Sequence, residues 1–251
     1  MSAAIFVGPS LAGASTGTAL GDFRRRPPAQ RGDLYRAVCQ GVRVIGLIDG
    51  YFHTVPSVLH KEILWALHQG CAVYGAASLG ALRAAELHGY GMAGVGAIFA
   101  DFRDGRLWRD DEVALSHGPA ELGFPPLSEP LVNIRATLAH AVAAQRIDAA
   151  RAGELIAAAA GLFYADRSLE AAARVHRAAK PATALSPEEL RWLIDHRVDQ
   201  KAADAREMLT VMRGDLERGS LPVPPPFAFE DTAFFARFRG LLDNPLTRDL
   251  A

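Results

Sequence analysis

The chain is poor in cysteine, has no long apolar run and carries no surplus of charge. Its 251 residues include only Cys39 and Cys71, which form no CxxC pair. A reducing compartment with both thiols buried is therefore expected. No window approaches the roughly 18 consecutive apolar residues of a membrane helix. The formal net charge is −1, so composition points to neither nucleic acid nor a membrane as partner. The opening MSAAIFVGPSLAGA has no basic leader before its apolar stretch, and Gly8 and Pro9 interrupt that stretch. It reads as a first strand instead of a signal peptide, and a cytoplasmic location is expected. HxxxH, HExxH and GxxxxGK[ST] are all missing, so neither zinc nor a P-loop is expected. GYGMAGVG at 89–96 follows a helical pattern, whereas a dinucleotide loop follows a strand. No cofactor and no metal is expected.

Half of the residues are hydrophobic, enough for a sizeable core. Three short apolar runs, AAIFV at 3–7, VRVIGLI at 42–48 and CAVY at 71–74, each end in turn chemistry: Gly8-Pro9-Ser10, Asp49-Gly50 and Gly75-Ala76-Ala77-Ser78. Between them, 32–40 and 57–68 carry apolar residues at helical spacing, with Gly41 and Gly70 where helix C-caps belong. Strand and helix in alternation predict right-handed βαβ units, hence an α/β fold whose N-terminal half is a short, Rossmann-like parallel sheet with flanking helices. Ligands bind such sheets outside the carboxyl ends of the strands, which places Ser10, Asp49 and Ser78 on one edge.

Asp104-Gly105, between aromatic and apolar alternation, predicts a hairpin. From Leu131 the chain is alanine-rich, with helical patterns to 142 and over 148–163, 169–179 and 187–212. The expected division is an α/β core at 1–128 and a helical subdomain at 129–251. Within the latter, PVPPP at 222–226 is a stiff extended segment, and the closing FEDTAFFARFRGLL is an amphipathic stretch that docks on the body or on a partner.

Ser78 is the first candidate for chemistry. AASLG at 76–80 is a relative of the nucleophile elbow G-x-S-x-G, in which a tight strand-to-helix turn exposes a hydroxyl and aims backbone N–H groups at an oxyanion. The alternative is that Ser78 simply caps the next helix. Lys61, beside Glu62 near the start of the preceding helix, is a candidate base in a serine–lysine arrangement or a surface lysine paired with a nearby glutamate. Asp49 orients a base, binds a metal or makes a turn, the turn being the commonest outcome for such a residue. Arg83 and Glu86, three residues apart, form an ion pair or line the pocket. The run Asp110-Asp111-Glu112 reads as a solvated face.

Three blocks, IGLIDGYFHTVPSVLHKEILWALHQG at 45–70, GAASLGALRAAEL at 75–87 and DGRLWRDDEVALSHGP at 104–119, resemble the core of the TfuA-like proteins. VGPSL near the start and EPLVNIR at 129–135 continue the likeness over roughly the first half. The resemblance implies a partner of a YcaO enzyme in backbone thioamidation, one that releases sulfide from a thiocarboxylated ThiS-like sulfur-carrier protein, with a precursor peptide as a further partner. It implies a protein-thiocarboxylate hydrolase with Ser78 as nucleophile, Lys61 or His53 as base and Asp49 orienting it. Leu79 and Gly80 would supply oxyanion N–H groups, Arg83 would position the carrier's C-terminus, and Ser10, Glu62 and Glu86 are further candidates for substrate contact. The alternative is a noncatalytic adaptor that stimulates YcaO or bridges it to the carrier, with Asp49, Lys61, Arg83 and Glu86 as interface charges.

Overall fold

The computed structural model describes residues 2–12, 23–51 and 55–244. His53 lies outside them. Five strands, β1 (Ala3–Phe6), β2 (Arg24–Arg26), β3 (Val44–Leu47), β4 (Ala72–Gly75) and β5 (Ala93–Gly94), form one sheet in the order β2-β1-β3-β4-β5. Every neighbouring pair is parallel. The α/β class is as the sequence predicts. Because the chain leaves β1 toward β2 on one side and leaves β3 toward β4 on the other, the strand order reverses between β1 and β3. A crevice therefore opens at their carboxyl ends.

Successive residues of a strand face opposite sides of the sheet. Ala4, Phe6, Ile45, Leu47 and Val73 pack under α1 (Asp33–Cys39), α2 (His60–His68), α3 (Leu79–Leu87) and α4 (Ala97–Arg103). The opposite face, with Ile5, Val44, Ile48 and Tyr74, is covered by Ala202, Ala205, Met208, Leu209 and Met212. These five belong to α9 (Gln200–Arg218). Between the two lie α5 (Leu131–Ala143), α6 (Ala149–Ala160), α7 (Leu169–Ala179) and α8 (Pro187–Asp195), which share a core around Leu138, Leu155, Leu169 and Leu193. After the extended prolines, α10 (Ala233–Asp243) returns to the first half, where Phe235, Phe238 and Leu242 pack on Tyr35. We keep the division at 128/129 as a proposal: α5 to α8 form a body of their own, while α9 and α10 pack against elements of the first half.

Several elements differ from expectation. Residues 104–105 do not turn a hairpin; they end α4 in a Schellman motif. Gly105 takes φ +73, its N–H donates to Phe102 O (3.1 Å), and Arg106 N–H donates to Asp101 O (2.9 Å). The 187–212 pattern is split between α8 and α9, and the Asp199 side chain caps the second helix by accepting from Ala202 N–H. Cys39 is exposed and only Cys71 is buried.

Gly46, on β3, is what lets α9 approach the sheet. A Cβ there would lie 2.5 Å from Ile5 Cδ1 and 2.9 Å from Met208 Cε. Gly46→Val should therefore destabilise the protein by about 1–3 kcal/mol through overpacking. This would be seen as a lower urea midpoint at unchanged m.

Candidate functional site

Strand β4 ends at Gly75, and the chain turns into α3 within three residues. Ala77 holds φ +65, and the N–H of Ser78 donates back to Ala76 O at 2.8 Å. This is a γ-turn of the rare positive-φ kind, a strained conformation for a residue with a Cβ. It is narrow because both ends are packed tightly: a Cβ on Gly80 would sit 1.8 Å from Leu47 O, and one on Gly75 2.2 Å from Gly80 O. The glycines of GAASLG thus seat α3 against β3 and β4, and the space beside them is filled. Ser78 stands at the N-cap position, yet its side chain makes no capping hydrogen bond. Its hydroxyl is left for another task.

Asp49 follows β3 and is 2 % exposed. Its Oδ2 accepts from the N–H groups of Gly8 (2.8 Å) and Ser10 (3.0 Å), and its Oδ1 accepts from Ser10 Oγ at 2.6 Å. The carboxylate thereby ties the turn after β1 to the turn after β3, across the switch point. On its other side lies Lys201, from the first turn of α9, with Nζ 4.0 Å from Asp49 Oδ1 and donating to Val113 O at 2.9 Å. Lys201 is fully enclosed. Burial pushes its pKa down, while the charges of Asp49 and Asp199 act the other way. Burial that disfavours the ammonium suits a lysine to accept a proton.

Asp49, Ser78 and Lys201 line one cavity of about 150 Å³, with Tyr51, His117 and Tyr164 on its half-buried wall. Through Pro9, Leu115 and Lys201 it adjoins a wider groove of about 470 Å³ that runs between the sheet edge and the helical half. Lys201 is absent from the sequence-derived candidates because nothing in QKAADAR distinguishes it from a solvated helix start. Its burial follows from α9 packing on the sheet.

The other expected site residues are placed elsewhere. Lys61 Nζ donates to Glu230 O at 2.7 Å and lies over the Phe229 ring, so it is held by the C-terminal segment and does not line the Ser78 cavity. Arg83 is paired with Glu86 at 2.7 Å, and His60 contacts the same carboxylate. Arg83 and Glu86 line a separate groove with Trp108. Gly80 N–H donates to Ile48 O at 3.1 Å and is not free for an oxyanion, whereas Leu79 N–H donates to no backbone carbonyl among the described residues. The acidic run is no solvated face: Glu112 is buried and bidentate to Arg135, and Asp111 pairs with Arg109 and the fully buried Arg167. Among the described residues, no cluster of three or more metal-ligating side chains occurs.

Residues 49–168 match the family model of the TfuA-like proteins. Over that segment, just under half of the chain, the protein is similar to the TfuA-like proteins. No curated protein matches it. The TfuA-like segment contains Asp49, Ser78 and His117, and it stops short of Lys201. The cavity is therefore closed by a side chain from outside the matched region. No helix among the described residues is long and apolar enough to cross a membrane.

Glu62 is buried at the start of α2 and accepts from the N–H groups of Gly32 (2.8 Å), Leu59 (3.1 Å) and Tyr35 (3.5 Å). It is a structural clamp and lines none of these cavities. Burial raises its pKa from 4.5 to about 7, against the pull of those backbone donors. The folded state thus keeps a proton that the unfolded chain releases, and Glu62 contributes stability below pH 4.5 that is lost as pH rises through about 7. Urea unfolding between pH 4.5 and 7.5 should show this decline, and Glu62→Gln should flatten it.

Proposed function

We propose that this protein is the sulfur-delivery partner of a YcaO enzyme in peptide backbone thioamidation, acting as a hydrolase on the thiocarboxylate of a ThiS-like carrier. One observation carries the reading. The Ser78 hydroxyl, on a strained strand-to-helix turn and released from helix capping, lines the same cavity as a buried lysine of lowered pKa and a buried aspartate. On this reading the three are the nucleophile, the base and the group that holds the base.

On this reading Lys201 takes the Ser78 proton as Oγ attacks the carrier's C-terminal carbonyl. Asp49 stabilises the ammonium that forms, and Leu79 N–H faces the developing oxyanion at the helix N-terminus. A small cavity opening into a longer groove suits a slender peptide tail entering end-on. The lysine base replaces Lys61. His53 lies outside the described residues and takes no part in the reading.

The adaptor reading is favoured by a different feature. Trp108, Leu122 and Leu127 are 82 %, 71 % and 69 % exposed. Large apolar side chains left in water in this way mark protein contact surfaces. The two readings separate when the purified protein is incubated, without YcaO, with a thiocarboxylated carrier and sulfide and carrier mass are followed. The hydrolase turns over. Ser78→Ala is expected to lower sulfide release at least ~1000-fold without altering the unfolding midpoint, and Lys201→Met to do so comparably. Stimulation of thioamidation without sulfide release would leave the adaptor alone standing.

A further inference from the structure

His117 lines the Ser78 cavity, and the mechanism above leaves it unused. Its Nδ1 lies 2.8 Å from Gly118 O. A carbonyl only accepts, so Nδ1 carries the hydrogen, and the proton that the ring gains or loses sits on Nε2. The imidazole packs against Tyr51 (centroids 6.0 Å apart) and edge-on against Phe124 (5.5 Å). Its segment is closed on itself: Gly118 N–H donates to Pro125 O and Leu127 N–H to Ser116 O, both at 2.8 Å. Phe124 is held at φ +59 within this closed segment, a strained conformation like that of Ala77 beside Ser78.

We propose that His117 is the acid that protonates the departing sulfur, a role that rests on the hydrolase reading above. Attack of Ser78 Oγ on R–C(=O)S⁻ gives a tetrahedral centre bearing both O⁻ and S⁻. S²⁻ is too basic to leave, so the centre collapses toward sulfide only after sulfur gains a proton. The serine proton passes to Lys201, where Asp49 and the Val113 carbonyl hold it at the enclosed end of the cavity. The leaving group departs toward the half-buried wall, where His117 stands. Nε2–H gives its proton to sulfur, the C–S bond breaks and HS⁻ leaves with its electron pair. Water then attacks the acyl-serine, its proton returning to His117, and Lys201 reprotonates the Ser78 oxygen. The sum is RCOS⁻ + H₂O → RCOOH + HS⁻. Asp49, Lys201, Tyr51 and Tyr164 are the other titratable groups facing this space. The Tyr51 phenol, which burial pushes up, is too weak an acid for the task.

The test compares two leaving groups on one acyl group: a synthetic glycine-ending peptide as its thiocarboxylate, and the same peptide as its 4-nitrothiophenyl ester, whose thiolate leaves without a proton. His117→Asn, which retains a donor toward Gly118 O, is expected to lower kcat for sulfide release about 100-fold at unchanged KM. In a single turnover, before deacylation, the burst of 4-nitrothiophenolate should stay within about threefold of wild type while the burst of sulfide falls about 100-fold, and the alkaline limb of the thiocarboxylate pH profile should disappear. Equal losses in the two single-turnover rates, or no loss in either, would overturn the assignment. Wild-type protein that cleaves the ester and releases no sulfide from the thiocarboxylate would overturn the hydrolase reading itself, and the His117 role with it, before any variant is made.

Discussion

Lys201 enters the molecule on the first turn of α9, and the apolar stripe of that helix, Ala202, Ala205, Met208, Leu209 and Met212, is what draws it in. Burying an ammonium costs several kcal/mol unless it is matched. Here the match is made by one carbonyl and by Asp49, which is itself committed to Gly8 and Ser10. The hydrophobic seating of one helix thus offsets the desolvation of one charge. The same seating fixes the distance between the helical half and the switch point of the sheet. The site exists only when both halves of the chain are in place, and a local change in α9 is felt at the carboxyl ends of β1 and β3.

A second set of buried charges holds the segment that roofs the cavity. Arg167, without exposure, donates to the carbonyls of Asp111, Ala159 and Leu162 and to the Asp111 carboxylate. Burial and hydrogen bonding act against each other at Asp111, and the guanidinium contacts of Arg109 and Arg167 win, holding its carboxyl below the usual range. Glu112 and Arg135 add a bidentate contact to α5. Val113, next in the chain, supplies the carbonyl that holds Lys201. The acids that look like a solvated run in sequence are therefore what sets the height of the roof.

Much of the first half was legible because its signals are local. Gly41 and Gly70 end α1 and α2 with φ +83 and +76, each with the paired N–H bonds of a Schellman motif. The apolar runs became β1, β3 and β4, and Ser10, Asp49 and Ser78 fell on one edge because parallel strands put all their carboxyl ends there. Strand β2 escaped notice since an edge strand of three arginines has no apolar alternation to read. Helix α4 reads as a hairpin in the sequence because Asp-Gly ends helices as readily as it turns strands. The buried lysine could not be read at all: Lys61 and Lys201 are alike in composition, and only the long-range choice of which helix covers the second face of the sheet makes one buried and the other a surface contact.

Strain at this edge has a consistent pattern. Among the described residues, the non-glycine positions with positive φ are Ala77, Phe124 and Gln145. The first immediately precedes Ser78, and the second packs against His117. Each such residue costs on the order of 1–3 kcal/mol, which glycine would relieve at either position. Glycine would also let the turn at 76–78 relax, and with it the direction of the Ser78 hydroxyl. Alanine keeps that turn narrow, Gly75 and Gly80 let α3 close on the sheet behind it, and Ser78 at the start of α3 is left lining the cavity. Small residues where the backbone must touch, and a Cβ where it must not slacken, together make a hydroxyl in a γ-turn a fixed point and not a mobile cap.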